Sequence, residues 1–199
     1  MRRTSIFFIA LVLLAGCAPE VDLSVQAPAT FSSEPGGYET ATVTRVVDGD
    51  TLVVEITGRT DGPGAGDAPL GPDQRVRLLG IDTPESVDPR RAVGCFGKEA
   101  SAAATAFTLG QEVRLVADIE EVDGFDRLLR YVYLGDEMVN ARLVVNGYAT
   151  AFTYPPNVRH ADLFVDLERQ ARDGNRGLWS PKTCSGEATL GLHDIRVIR

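Results

Sequence analysis

Val76-Arg77-Leu78-Leu79-Gly80-Ile81-Asp82-Thr83-Pro84-Glu85 is the stretch that decides the fold. Gln74 to Ile81 reads as a strand, and Asp82 to Gly97 as irregular chain. Upstream, Thr42 to Val47 is rich in β-branched residues, Asp48-Gly49-Asp50 signals a turn or bulge, and Thr51 to Thr57 resumes as a strand. Gly58 to Asp73 is dense in Gly, Pro and Asp and reads as an exposed loop. Downstream, Glu112 to Ile119 and Leu128 to Leu134 add two strands. Helices are expected over Lys98 to Leu109, ended by Gly110, over Val139 to Val145, and over Ala161 to Arg172. The order predicts an α+β, mainly β fold: a five-stranded OB-fold barrel capped by about three helices. Pattern alone leaves other α+β arrangements open.

The first sixteen residues have a different character. Arg2 and Arg3 precede an apolar run, Ile6 to Leu14, that is too short to span a bilayer. Leu14-Ala15-Gly16-Cys17 resembles a lipoprotein signal, cut before Cys17 and leaving that Cys to carry the lipid. The alternative is an ordinary secretion signal with an incidental Cys. The expected divisions are a signal over 1–16, a flexible tether over 17–37, the barrel domain over 38–181 and a tail over 182–199. The resulting location is extracytoplasmic, at a membrane surface.

Charge narrows the partners. The chain carries 20 basic and 28 acidic residues, a net charge of −8. Without Arg2 and Arg3 it would carry −10. Such a field repels polyanions at long range, so a nucleic-acid substrate requires local cations. Cys17 assigned to lipid leaves Cys95 and Cys184. In an oxidising compartment these are expected to pair, closing a loop of about 90 residues worth roughly 4 kcal/mol. Two separate buried thiols are the alternative.

The acidic residues cluster at strand ends. Asp48 and Asp50 flank one turn, and Asp82 and Glu85 follow the third strand. If the first and third strands are neighbours, Asp50 and Asp82 face one pocket. Close carboxylates need a cation or proton between them. No Cys or His lies nearby, so an all-oxygen site would select a hard ion such as Ca²⁺ or Mg²⁺. Arg77 lies two residues after Arg75, on the same strand face, and Arg127 follows the turn-like Asp123 to Asp126. Their planar forks suit phosphate oxygens. A lone Asp-Gly turn or strand Arg is commonly structural.

Five blocks in order carry a resemblance: Val47-Asp48-Gly49-Asp50-Thr51, Val76 to Glu85, Phe96-Gly97-Lys98-Glu99-Ala100, Asp126-Arg127-Leu128-Leu129-Arg130-Tyr131-Val132, and Asn175-Arg176-Gly177-Leu178-Trp179. They resemble the staphylococcal nuclease family. The resemblance implies Ca²⁺-dependent hydrolysis of DNA and RNA phosphodiesters on an OB-fold barrel, leaving 3′-phosphates. It implies one Ca²⁺ held by Asp50, Asp82 and the Thr83 carbonyl, with Asp48 just behind. It implies Glu85 as the base on the attacking water and Arg77 and Arg127 as phosphate clamps. Tyr154 matches an aromatic on which a base stacks. Phe125 stands where the family usually has Tyr, Gly124 where Lys is frequent, and Asp126 where Gly precedes the Arg. A catalytically weak or inactive nucleic-acid-binding module on the cell surface is the alternative. A monomer is expected.

Overall fold

The computed structural model describes residues 30–86 and 94–184. The first strand, β1 (Tyr38–Asp48), alternates inward Ala41 and Val43 with outward residues. It pairs antiparallel with β2 (Thr51–Thr60), which pairs in turn with β3 (Gly71–Leu78). β4 (Ile81–Asp82) is a separate short strand. β5 (Glu112–Val116) pairs with β1 and with β6 (Leu128–Leu134). β6 also pairs parallel with β3, which closes a five-stranded barrel in the order β1-β2-β3-β6-β5. β7 (Glu137–Met138) extends β6, and β8 (Thr150–Ala151) pairs with β4. This is the expected OB-fold α+β class, with helices α1 (Gly97–Thr108), α2 (Val139–Val145) and α3 (Ala161–Asp173) packed outside. No described helix is long and apolar enough to cross a membrane.

Several boundaries differ from the sequence reading. The expected third strand breaks at Gly80, whose φ is 77°. A Cβ there would stand 2.0 Å from the Phe164 ring, so the chain bends where α3 packs closest. The first and third strands are not neighbours, because β2 lies between them. The loop expected over 58–73 narrows to 61–70, since β2 runs on to Thr60 and β3 starts at Gly71. That loop is tied down: the Gly64 amide donates to the Gly36 carbonyl at 3.0 Å, and the Asp67 amide to Glu121 at 2.7 Å.

Residues 30–37, read as part of a tether, pack onto the barrel. Phe31 meets Tyr38 and Tyr133 edge-on at 5.1 and 5.4 Å between ring centres, and the Arg114 guanidinium covers its face at 4.0 Å. Composition hid this, because one aromatic and one carboxylate anchor the segment. The carboxylate is Glu34, buried against the start of α3. It accepts from His160 Nε2 at 2.6 Å, from Arg159 Nη1 at 3.0 Å and from the Tyr133 hydroxyl. Burial alone would raise the Glu34 pKa, but the bonds from His160 and Tyr133 outweigh it and hold it lowered. A depressed carboxyl lends its stability above the ordinary value of 4.5 and loses it as pH falls through the lower native value. Thermal midpoints should therefore fall on acidification below about pH 4.5. Glu34→Gln should cost about 1–3 kcal/mol at neutral pH, a deficit that shrinks in acid. An equal deficit at both pH values would contradict this role.

Cys95 and Cys184 are bonded, as expected, with their Cα atoms 5.9 Å apart. The bridge ties the turn before α1 to the segment that follows Trp179. That turn lies against the loop following β4, where the Gly94 amide donates to the Glu85 carbonyl at 2.7 Å. The proposed signal, Cys17, most of the tether and residues 185–199 of the tail lie outside the described residues.

Candidate active site

The site starts at the β1–β2 turn. Asp48 pairs with Thr51 across it, leaving Gly49 and Asp50 at the tip. A Cβ on Gly49 would come within 2.8 Å of the Thr83 side chain, so only Gly lets this turn close on the chain after β4. Asp50 is 6% exposed. Its Oδ2 accepts from the Thr83 amide at 2.9 Å and hydroxyl at 3.1 Å, and its Oδ1 from the Thr51 hydroxyl at 3.1 Å. These bonds satisfy a buried charge that would otherwise be costly.

Arg77 stands opposite Thr51 on β3. Its Nη1 donates to the carbonyls of Leu78 and Ile81 at 2.7 and 2.8 Å, which fixes the guanidinium plane. Its Nη2 lies 3.3 Å from Asp50 Oδ2 and 2.9 Å from Asp82 Oδ1, so one cationic group joins both carboxylates. Asp82 is placed by the pairing of β4 with β8, and its side chain is 56% exposed. The parallel β3–β6 pairing brings the start of β6 alongside, with Arg77 paired to Leu129. Arg127 there donates from Nε to Asp123 at 2.8 Å and reaches the Thr51 hydroxyl at 3.4 Å. Burial would raise the Asp123 pKa, but amide and side-chain bonds from Arg127, with the Phe125 amide, hold it lowered and the carboxylate charged. Asp48 is the opposite case: burial and the adjacent Asp50 charge push it up to about 7.

The fold thus gathers Asp50, Asp82, Thr83, Arg77 and Arg127 at one place, with Asp48 beside them. They meet through the β2–β3 pairing rather than through adjacent first and third strands. Thr83 enters through its amide and hydroxyl, whereas the expectation concerned its carbonyl. Glu85 lies on the same loop, three residues beyond Asp82, and accepts from the Ser86 amide at 3.0 Å. Phe125 is 72% exposed, with the Arg127 guanidinium 5.5 Å from its ring centre. Tyr154 is 39% exposed, on a turn closed by the Asn157 amide donating to its carbonyl at 2.8 Å. Residue-type reasoning missed Thr51 and Asp123, which orient Asp50 and Arg127. Their adjacency to Asp50 and to the Arg127 turn was the only signal.

The donor set suits a hard cation: two carboxylates and nearby backbone oxygen, without nitrogen or sulfur. Among the described residues no three His, Cys, Asp or Glu gather as a complete ligand set, so backbone and water oxygens would finish the coordination. Arg77 bridging Asp50 and Asp82 shows that the two carboxylates already converge on a positive group.

A family model described as "Staphylococcal nuclease homologue" matches residues 75–181, more than half of the chain. The chain belongs to the staphylococcal nuclease family. It is 38% identical over 141 residues to the thermonuclease of Staphylococcus intermedius, covering 71% of this chain and 76% of that one. It is 37% identical over 178 residues to the thermonuclease of Staphylococcus hyicus, covering 84% and 95%. It is 33% identical over 141 residues to the SPbeta prophage-derived endonuclease YokF of Bacillus subtilis (strain 168), covering 70% and 43%. The nuclease-family match opens at Arg75 inside β3, so Asp48 and Asp50 reach the site from chain preceding the matched segment.

Proposed function

We propose that the protein is a calcium-dependent nuclease that hydrolyses DNA or RNA outside the cytoplasm and leaves 3′-phosphates. The observation that carries the reading is the Arg77 guanidinium set between Asp50 and Asp82, with Arg127 beside it. A phosphodiester is an anion that resists attack by water, and this site offers two guanidiniums, Arg77 against Asp50 and Arg127 against the adjoining Thr51. Calcium held by Asp50, Asp82 and the Thr83 carbonyl would supply a fixed divalent charge facing a phosphate oxygen. Arg77 and Arg127 donate to the remaining non-bridging oxygens and stabilise the charge that grows in the transition state. Glu85 takes the proton of the attacking water, whose oxygen bonds to phosphorus as the bond to the 5′-oxygen breaks and that oxygen takes up a proton from solvent. Asp123 and Thr51 keep Arg127 aligned during this step. The Cys95–Cys184 bond supports an oxidising compartment. The lipoprotein-like box at Cys17 supports anchoring to a membrane there.

The test is plasmid and RNA cleavage by the full chain. Cleavage is expected with Ca²⁺, absent with chelator, and reduced about 10²–10⁴-fold in Glu85→Gln. Products should carry 3′-phosphates by end-group analysis. Binding without cleavage under all metals would support the binding-module reading instead.

A further inference from the structure

Most arginines among the described residues are neutralised. Arg59, Arg130, Arg142 and Arg159, like the two at the active site, each sit within 4.0 Å of a carboxylate. Four do not: Arg114 covers the Phe31 ring and Arg176 bonds the Val145 carbonyl, whereas the side chains of Arg45 and Arg75 are exposed. Their positions are linked by register. Arg45 pairs with Val53 across β1–β2, and Val53 pairs with Arg75 across β2–β3. Paired residues project to the same side of a sheet, so the two guanidiniums share one outward row. The next row holds Thr51 and Arg77, the edge of the active site. Arg75 is one two-residue step from Arg77, about 6.8 Å along the strand, and Arg45 lies two strand spacings further, about 9.6 Å.

That placement has a chemical sense in a chain of net charge −8. A polyanion approaches such a protein only along a local run of uncompensated cations. The loop beside Arg75 offers no cation at 124–126, where Gly, Phe and Asp stand. Arg75 reaches that loop by donating to the Phe125 carbonyl, and its exposed side chain has further N–H donors to offer a ligand.

We propose that Arg75 and Arg45 form a phosphate track that grips the strand flanking the scissile bond, so the enzyme binds a run of nucleotides rather than one phosphodiester. The track rests on the nuclease reading and adds to it a preference for polymer. It crosses the outer wall of the barrel from β3 over β2 to β1. It acts on binding and leaves the chemical step to Arg77, Arg127 and Glu85.

The experiment pairs two substrates. Fluorescence anisotropy of a labelled single-stranded oligonucleotide, in chelator so that nothing is cleaved, gives Kd across a salt series for the full chain, Arg45→Gln, Arg75→Gln and the double variant. Turnover of bis(p-nitrophenyl) phosphate with Ca²⁺ reports the chemical step alone. Each substitution should weaken oligonucleotide binding about three- to tenfold and flatten the log–log salt slope by about 0.7, the double variant by about twice that. Arg75→Lys should restore most of the slope, because a phosphate contact needs charge more than a fork. Turnover of the small diester should stay within about twofold. Unchanged salt slopes would overturn the track. So would an Arg75→Gln variant that loses small-diester turnover as fully as oligonucleotide binding, since Arg75 would then serve only to hold the Phe125 loop. Absence of all cleavage by the unsubstituted protein would instead sink the nuclease reading and leave the binding result standing.

Discussion

Replacing Arg77 with Ala is expected to lower the rate of phosphodiester cleavage by about 10³–10⁵-fold, the scale seen when an arginine that stabilises phosphoryl-transfer charge is lost. Arg77 does two jobs at once. In the proposed reaction it presents donors to the phosphate, and without substrate it joins Asp50 Oδ2 and Asp82 Oδ1 at 3.3 and 2.9 Å. Its plane is set by the Leu78 and Ile81 carbonyls, which a Lys ammonium could not meet together with both carboxylates. Arg77→Lys should therefore recover little activity. Calcium affinity should move the other way: removing the guanidinium that competes for the two carboxylates should leave it unchanged or tighter. Cleavage assays and calcium titration on the same variants check both halves. Loss of calcium binding together with activity would mean that Arg77 builds the site rather than serving the reaction.

Glu39→Gln should destabilise the fold by about 3–5 kcal/mol with little effect on turnover of the folded fraction. Glu39 and Arg130 are both fully buried inside the barrel. Glu39 Oε2 accepts from Arg130 Nε at 2.8 Å, while its Oε1 accepts from Arg130 Nη2 at 3.3 Å and the Ala68 amide at 3.2 Å. Arg130 also reaches Glu121 at 3.0 Å. Neutralising Glu39 strips the buried guanidinium of its main counter-charge, although Glu121 remains and keeps the loss toward the lower end of the range. The double change Glu39→Leu, Arg130→Met should recover part of it, because an apolar pair of similar volume avoids the desolvation of both ions. Glu39 is the second residue of β1 whereas Asp48 closes it, nine residues or roughly 30 Å along the strand, so the catalytic geometry should survive. Urea midpoints measured beside kcat would show it. A double variant less stable than Glu39→Gln would contradict the electrostatic reading.

The contrast between these two arginines shows what the sequence made legible. Arg77 is exposed by its neighbourhood: it stands in an alternating strand that ends in Asp82-Thr83-Pro84-Glu85, where charge is concentrated. Arg130 sits in a similarly apolar strand, and its burial depends on Glu39, 91 residues away. Local pattern carries no trace of that partner. Barrel closure has the same character, since the parallel pairing of Val76 with Leu128 joins chain segments that no short-range rule connects. The β2–β3 pairing that delivers Asp50 to Asp82 was likewise hidden, and the two acids were linked by the wrong strand neighbours. Turn chemistry was readable because it is local: Gly49 and Gly110 stand where the chain must reverse or stop. The anchoring of residues 30–37 was not, because two side chains, Phe31 and Glu34, outweigh a composition rich in small and polar residues.

Calorimetric titration of calcium into the full chain, unsubstituted and as Asp82→Asn, tests directly whether these carboxylates hold the ion. Asp82 suits the test because its side chain is 56% exposed and its loss should leave the barrel folded. One ion should bind the unsubstituted chain, and binding should be markedly weaker after the substitution, with unfolding midpoints nearly equal in chelator. Identical calcium heats from both proteins, or none from either, would contradict this assignment.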